Sequence, residues 1–388
     1  MKKILSIVLC LCMIFALAAC GSKNADEKVV TIGVFEPASG DNGAGGKQEA
    51  LGVEYANFVQ PTVEINGEEY KVVLKIVDNE SSNDKAPSAA AELVNAGCSV
   101  VLGSYGSGVS MAGGPTFESA GVPAIGITCT NAQVTDGNDY YFRVCFIDDF
   151  QGPVLANYAS GNLGVSKAYV LNKLGDDYSG NLAKIFSEAF EALGGEVVHE
   201  EFPEGNADFT AYVTKAKNEG CGVFFSPVSI EAAQLIIKAA EAQDLGMPIL
   251  AGDTWDSNVI LDAAKGTDVE VTVTTFYADG TDPEFESAIK EWINGDSERL
   301  AKNNGDDTLA AVTVMGYDAY FTALEALKLA GSTDPKAVNE ALWNVNFDGV
   351  TGNIRFNEKG DADITTAYVK GADNATATWI GKGAVTIQ

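Results

Sequence analysis

Three short segments of this chain hold side chains suited to gripping a small charged solute. Gly103-Ser-Tyr-Gly-Ser-Gly-Val-Ser-Met-Ala112 sets hydroxyls and free backbone N–H groups at the start of an expected helix. Such an end binds an anion, a carboxylate for instance, through its unpaired donors and the positive end of the helix dipole. Ser107 is the best-placed hydroxyl there, though a serine at a helix start also serves as an N-cap. Thr128-Cys-Thr-Asn131 and Gly252-Asp-Thr-Trp-Asp256 each follow a short apolar run. A carboxylate such as Asp253 at a strand end pairs with an ammonium, and equally caps the turn that follows.

Other chemistries fail on spacing. The glycine-rich stretch from Glu36 to Lys47 suggests a phosphate loop, but Asp41 stands where that motif needs glycine and Gln48 where it needs a magnesium-binding hydroxyl. No glycine triplet is followed by a ribose-binding acid, so a dinucleotide fingerprint is missing too. Gly-x-Ser-x-Gly does not occur, and the single histidine, His199, sits in an expected strand. No metal-ligand spacing is found among the cysteines, and no metal or cofactor is expected. The acidic pairs Asp148-Asp149 and Asp176-Asp177 read as solvated loop ends or helix caps. The chain is therefore read as a binding protein and not an enzyme, with an extracellular hydrolase the enzyme alternative.

The elements that must position these loops follow from periodicity. Short β-rich runs at 30–35, 71–78, 99–102 and 123–127 alternate with helical patterns at 47–59 and 87–96. The alternation continues through runs at 168–172, 196–201, 222–226, 248–251 and 269–275, which argues for parallel sheets covered on both faces. Leu182, Ile185, Phe186, Ala189, Phe190 and Leu193 form one apolar helical stripe that ends at Gly194. Residues 308–330 are apolar enough for a membrane span, but Asp318, Glu325 and Lys328 favour a helix buried between layers. So many strands exceed one ordinary sheet, and a break near 146–151 divides the chain into two doubly wound α/β lobes. Beyond Asn353 three short strands, 353–356, 365–370 and 376–380, form a returning tail that completes one lobe. In such sheets ligands bind beyond the carboxyl ends of the strands, where the three segments lie.

Composition agrees. Of 388 residues, 46% are hydrophobic and 20% charged, which fits folded domains and not disorder. Fifty-four acidic against 25 basic side chains give a net charge of −29, which repels phosphate backbones, so nucleic acid is an improbable partner. Lys2 and Lys3 precede an apolar run at 4–19 that is short for a membrane span of about 20 residues. Residues 1–19 read as a signal peptide. Leu17-Ala-Ala-Cys20-Gly21 resembles a bacterial lipobox, in which Cys20 takes a diacylglyceryl group and residues 20–28 become a membrane tether. Cys98, Cys129, Cys145 and Cys221 are scattered, and no disulfide is assigned.

The chain resembles the Leu/Ile/Val-type periplasmic binding proteins, the branched-chain amino-acid receptors of bacterial ABC importers. Thr31-Ile-Gly-Val, Val77-Asp-Asn, Val101-Leu-Gly-Ser-Tyr-Gly-Ser107, Gly121-Val-Pro-Ala-Ile and Tyr141-Phe-Arg-Val carry the likeness through the first half. Ala192-Leu-Gly-Gly-Glu-Val, Asp208-Phe-Thr, Gly316-Tyr-Asp-Ala and Phe347-Asp-Gly-Val-Thr-Gly-Asn-Ile-Arg-Phe356 carry it through the second. The resemblance implies a type I periplasmic-binding-protein fold of two Rossmann-like lobes, 29–147 plus 278–350 and 148–277 plus 351–388. They would be joined by a three-strand hinge near 147, 277 and 350 that closes on ligand. It further implies that Ser107 binds the ligand carboxylate, that Thr128 and Thr130 grip the zwitterion, that Tyr178 closes over it, and that Asp253 pairs with the ammonium. Ala44 and its small neighbours depart from the aromatic many members carry in the first loop, and Val228 or Ser229 replaces another. Tyr105 and Trp255 are then either apolar walls or packing. The implied protein is a monomeric, lipid-anchored extracytoplasmic receptor that captures an amino acid, branched-chain or otherwise apolar, for an ABC permease. A different small solute (an amide, a small carboxylate or an aromatic amino acid) and a ligand-sensing module remain as alternatives.

Overall fold

The computed structural model describes residues 27–386. The expected signal peptide, the Cys20 anchor and most of the tether lie outside the described residues. The first lobe opens with β1 (Val29–Glu36), helix α1 (Gly43–Val59), β2 (Thr62–Ile65) and β3 (Glu68–Asp78). It continues with α2 (Ala86–Asn95), β4 (Val100–Leu102), α3 (Ser107–Ala120), β5 (Ala124–Gly126) and β6 (Tyr141–Arg143). The sheet order is β2-β3-β1-β4-β5-β6, parallel except for the β2–β3 hairpin. β1 is buried over most of its length, as a central parallel strand covered by helices on both faces must be. Helix α1 begins at Gly43, four residues before the expected start at Lys47. A β-carbon on Gly45 or Gly46 would collide with Tyr105 or Pro37, so the glycines let the first turn lie flat on its neighbours.

The chain then enters the second lobe through α4 (Asp148–Asn157), β7 (Lys167–Lys173), α5 (Asp177–Ala192), β8 (Glu196–Phe202), α6 (Thr210–Asn218) and β9 (Val223–Phe225). α7 (Ile230–Ala242), β10 (Ile249–Ala251), α8 (Asn258–Ala264) and β11 (Val271–Thr275) follow. The apolar stripe of α5 buries Leu182, Ala183, Phe186 and Phe190, and Asp176 caps its start by accepting from the Ser179 N–H at 2.6 Å.

After β11 the chain returns to the first lobe as α9 (Pro283–Asn294), α10 (Ser297–Lys302), α11 (Ala311–Ala330) and α12 (Pro335–Leu342). α11 is the apolar segment read as a buried helix, and no helix among the described residues is long and apolar enough to cross a membrane. It crosses α1 closely, because a β-carbon on Gly52 would collide with the Thr313 carbonyl. Asp318, fully buried on α11, accepts from the Val350 and Thr351 N–H groups at 2.9 and 2.7 Å and pins the turn that leads into the tail.

The tail corrects one expected boundary. β12 (Asn346–Gly349) and β13 (Gly352–Arg355) form a separate hairpin. Ile354 is buried in the first lobe's core, Phe356 packs on Phe142 at 5.0 Å, and Asp361 pairs with Arg143. Residues 351–361 thus stay with the first lobe, and the third crossing falls after Asp361 instead of near 350. β14 (Thr366–Asp373) and β15 (Thr378–Thr386) then complete the second sheet in the order β15-β14-β11-β10-β9-β7-β8, both antiparallel at its edge. The four cysteines among the described residues are buried free thiols.

Candidate ligand-binding site

The carboxyl ends of β1, β4 and β5 in one lobe face those of β7, β9 and β10 in the other, and a cavity of about 70 Å³ lies between them. Ser107, Thr128, Tyr105, Tyr178 and Thr254 line it, with Asn42, Val109, Lys173 and Ser229. Direct contacts close the cleft. Tyr105 Oη donates to the Thr254 carbonyl at 3.2 Å, Asn131 Nδ2 donates to the Asp177 carbonyl at 2.8 Å, and Lys173 Nζ lies 2.6 Å from Asp41. A larger groove near the amino ends of β10 and β11, lined by Glu241, Asp244, Asp268 and Glu270, gathers none of the expected site residues.

Each wall residue has a polarity set by the hydrogen bonds it already makes. Ser107 Oγ accepts from the Asn131 N–H at 3.3 Å, so its own proton is free to point elsewhere. Ser107 is also the first residue of α3, whose first-turn N–H groups open toward the cavity. Together they leave donors free for an anion at this end of the cavity. Thr128 differs, because its hydroxyl donates to the buried carboxyl of Glu49. Its oxygen therefore faces the cavity as an acceptor, and only its backbone is left for an anion.

On the facing lobe, Asp253 opens a 3-10 turn, Asp253–Trp255, just after β10. Its Oδ1 accepts from Gln151 Nε2 at 2.7 Å and from Tyr178 Oη at 2.9 Å. Its Oδ2 is buried with no partner. Burial, then the neighbouring Asp148 charge, hold the Asp253 carboxyl well above the usual carboxylate range. A cation brought against Oδ2 would reverse that shift.

Three expected residues stand apart from the cavity wall: Asp253, whose buried carboxyl lies behind Tyr178, and Thr130 and Trp255. Thr130 is fully buried beside the Asp148 carboxyl, and its carbonyl accepts from the Asp148 N–H at 2.9 Å. Trp255 turns its ring into the second lobe's core and donates Nε1–H to the Val228 carbonyl at 2.9 Å, so it packs and does not line the cavity. Tyr105 is the aromatic wall, buried against Ala310 and Val312.

Sequence reasoning missed the residues that hold these loops in place. Arg143 is fully buried and every one of its donor nitrogens is used: Nε on Asp361, Nη1 on the Cys129 and Asn131 carbonyls, Nη2 on the Ala132 carbonyl and Thr135. It fixes the 128–132 loop from beneath. Asp148, expected as a solvated loop end or a helix cap, is the first residue of α4 and is fully buried; burial pushes its carboxyl up to about 6, against the hydrogen bond from Asn181. Only long-range pairing distinguishes these charges from surface ones, and the sequence carries no local signal of it.

A sequence profile described as periplasmic binding protein matches residues 29–375 of this chain. The chain belongs to the periplasmic binding protein family. This periplasmic binding protein is 32% identical to Leu/Ile/Val-binding protein homolog 1 of Brucella suis over 91% of its own length and 93% of that protein's. Its fold is similar to that of the leucine binding protein LivK of Thermotoga maritima, with a TM-score of 0.80, 28% identity, and coverage of 92% of this chain and 99% of that one. It is also similar to the substrate binding protein LivJ of Streptococcus pneumoniae, solved in complex with isoleucine, with a TM-score of 0.79, 25% identity, and coverage of 93% and 99%. As a member of this family it is an extracytoplasmic binding protein with a type I periplasmic-binding-protein fold, and not an enzyme.

Proposed function

We propose that the protein captures a free amino acid between its lobes and delivers it to an ABC importer, acting as a monomer tethered through a lipidated Cys20. One observation carries the ligand class. A single cavity is bordered by a helix start with free donors at Ser107 and, across the cleft, by Tyr178, which is bonded to the Asp253 carboxyl just behind the wall, whose second oxygen is buried with no partner. An α-amino acid carries a carboxylate and an ammonium about one carbon apart, so it satisfies both ends at once. The names of the relatives, Leu/Ile/Val-binding protein homologues and leucine or isoleucine binders, make leucine, isoleucine and valine the first ligands to test. Calorimetric titration of residues 21–388 with the twenty amino acids tests the reading, and silence with all twenty rejects it.

A second reading rests on the walls. Val109 is the one aliphatic side chain lining the cavity, and hydroxyl and amide groups form most of the rest. That lining favours a small polar solute, such as an amide or a short carboxylate, which the same titration with those solutes would reveal.

A further inference from the structure

Beneath the cavity floor lie two carboxyls that do not line the cleft themselves, Glu36 at the end of β1 and Glu49 on α1. Both are buried, at 2% and 0% exposure. Glu36 Oε2 accepts from the Tyr105 N–H at 2.8 Å, and Glu49 Oε1 accepts from the Thr128 hydroxyl. The other oxygen of each, Glu36 Oε1 and Glu49 Oε2, is buried with no partner, and the charge of the neighbouring Glu49 carboxyl adds to burial in raising Glu36. Two neighbouring carboxylates cannot both be ionised in a buried site, so the pair holds a proton between them.

We infer that Glu36 and Glu49 are a proton-sharing positioning pair that fixes Thr128 as a hydrogen-bond acceptor for the ligand's ammonium. The inference rests on the amino-acid reading of the cleft. With Glu49 taking the Thr128 proton, the Thr128 oxygen has only lone pairs to offer the cavity, and Tyr178, which gives its proton to Asp253, offers the same. A ligand N–H is accepted there and a ligand oxygen is repelled. Glu36 holds the backbone of Tyr105, the cavity's aromatic wall, so one shared proton braces two wall residues. Burial and the mutual charge drive the retention of that proton, and Glu49 is pushed up to about 8. The other ionisable groups facing the pair are the Cys129 and Cys145 thiols, the Tyr105 and Tyr141 hydroxyls, and Asp253 across the cleft, and burial raises each of them above its usual range. Loss of the shared proton leaves two charges in contact, which draws Glu49 away from Thr128.

The test takes the tightest binder among the twenty amino acids and measures its Kd from pH 6 to 9 on the wild type, Glu49→Gln, Glu49→Leu and Thr128→Val. Wild type is expected to lose up to about tenfold in affinity between pH 7 and 9. Glu49→Gln keeps an acceptor for Thr128 but cannot ionise, so its affinity at pH 7 should match wild type and the loss between pH 7 and 9 should be missing from its profile. Glu49→Leu and Thr128→Val should each lose about tenfold at every pH, and their double variant should lose no more than either. A Glu49→Gln profile that tracks wild type overturns the inference while leaving the amino-acid reading intact. This comparison decides the matter even if Glu49→Leu does not fold. A wild type that binds none of the twenty overturns the amino-acid reading and the inference with it.

Discussion

Tyr178 and Asp253 meet at 2.9 Å across the second lobe's end of the cleft, phenol donating to carboxyl, and the far oxygen of Asp253 is left buried and unpaired. An ionised oxygen left unpaired in the interior is costly. A cation from the proposed ligand would supply the missing partner.

Replacing Asp253 with asparagine is therefore expected to weaken an ammonium-bearing ligand about a hundredfold or more, in line with roughly 1.5–3 kcal/mol for a charge-assisted bond plus the loss of the charge itself. The corresponding 2-hydroxy acid, which lacks the ammonium, should change little between wild type and Asp253→Asn. Because the Asp253 carboxyl sits above its usual range without ligand, capture of an ammonium should release a proton wherever that carboxyl is still protonated in the free protein. Titration in two buffers of different ionisation enthalpy would reveal that proton for wild type and not for Asp253→Asn.

Much of the site could be read from the sequence where it depends on local order. Ser107 follows a short apolar strand and opens a helix, and Asp253 follows another, so the rule that ligands sit beyond the carboxyl ends of strands points to both, and both lie at the cleft end of their lobe. Trp255 lies two residues beyond Asp253, yet a 3-10 turn points the ring to Val228 and away from the cavity. Asp148 and Glu49 look like any surface acids in a chain with 54 of them. Their burial is a property of the lobes they join, which no local pattern encodes. The late third crossing has the same origin, since Asp361 is drawn to Arg143, 218 residues earlier.

That Arg143–Asp361 pair leads to a stability prediction. Both partners are buried, and Arg143 also holds four carbonyl or hydroxyl oxygens of the 128–135 segment. Arg143→Met strands a buried carboxylate and frees the loop bearing Thr128, so unfolding by denaturant should show a loss of about 3–5 kcal/mol. Asp361→Asn keeps a hydrogen-bond acceptor and should cost less. Equal losses for the two would show that the loop contacts contribute nothing.

The buried carboxyls set the pH dependence of the unliganded protein. Glu49 is raised from an ordinary 4.5 to about 8 and Asp148 from 3.8 to about 6, so the folded chain binds more protons than the unfolded chain within those windows. Stability then falls as pH rises, by about 1.4 kcal/mol per pH unit for each such group, and the loss ends above the folded values. Below about pH 4 both states are protonated and the effect vanishes. Thermal unfolding without ligand should show Glu49→Gln making the decline shallower from about pH 4.5 to 8, and Asp148→Asn making it shallower from about pH 4 to 6 only. Unchanged profiles would mean that both groups titrate as ordinary carboxylates.

Gly45 and Tyr105 connect the first loop to cleft closure. A β-carbon at Gly45 would collide with the Tyr105 ring, and that ring cannot retreat because it is packed on Ala310 and Val312. Gly45→Ala must therefore displace either α1 or the tyrosine, and a displaced Tyr105 loses its hydrogen bond to the Thr254 carbonyl across the cleft. Overpacking of this kind costs about 1–3 kcal/mol. The expected results are a lower melting temperature and weaker ligand binding for Gly45→Ala, with a similar weakening of binding for Tyr105→Phe, which removes only the inter-lobe bond. If the collision acts through that bond, the binding losses of Gly45→Ala and Tyr105→Phe will not add in the double variant. Full additivity would separate the two residues and show that the first-loop glycine matters for the packing of α1 alone.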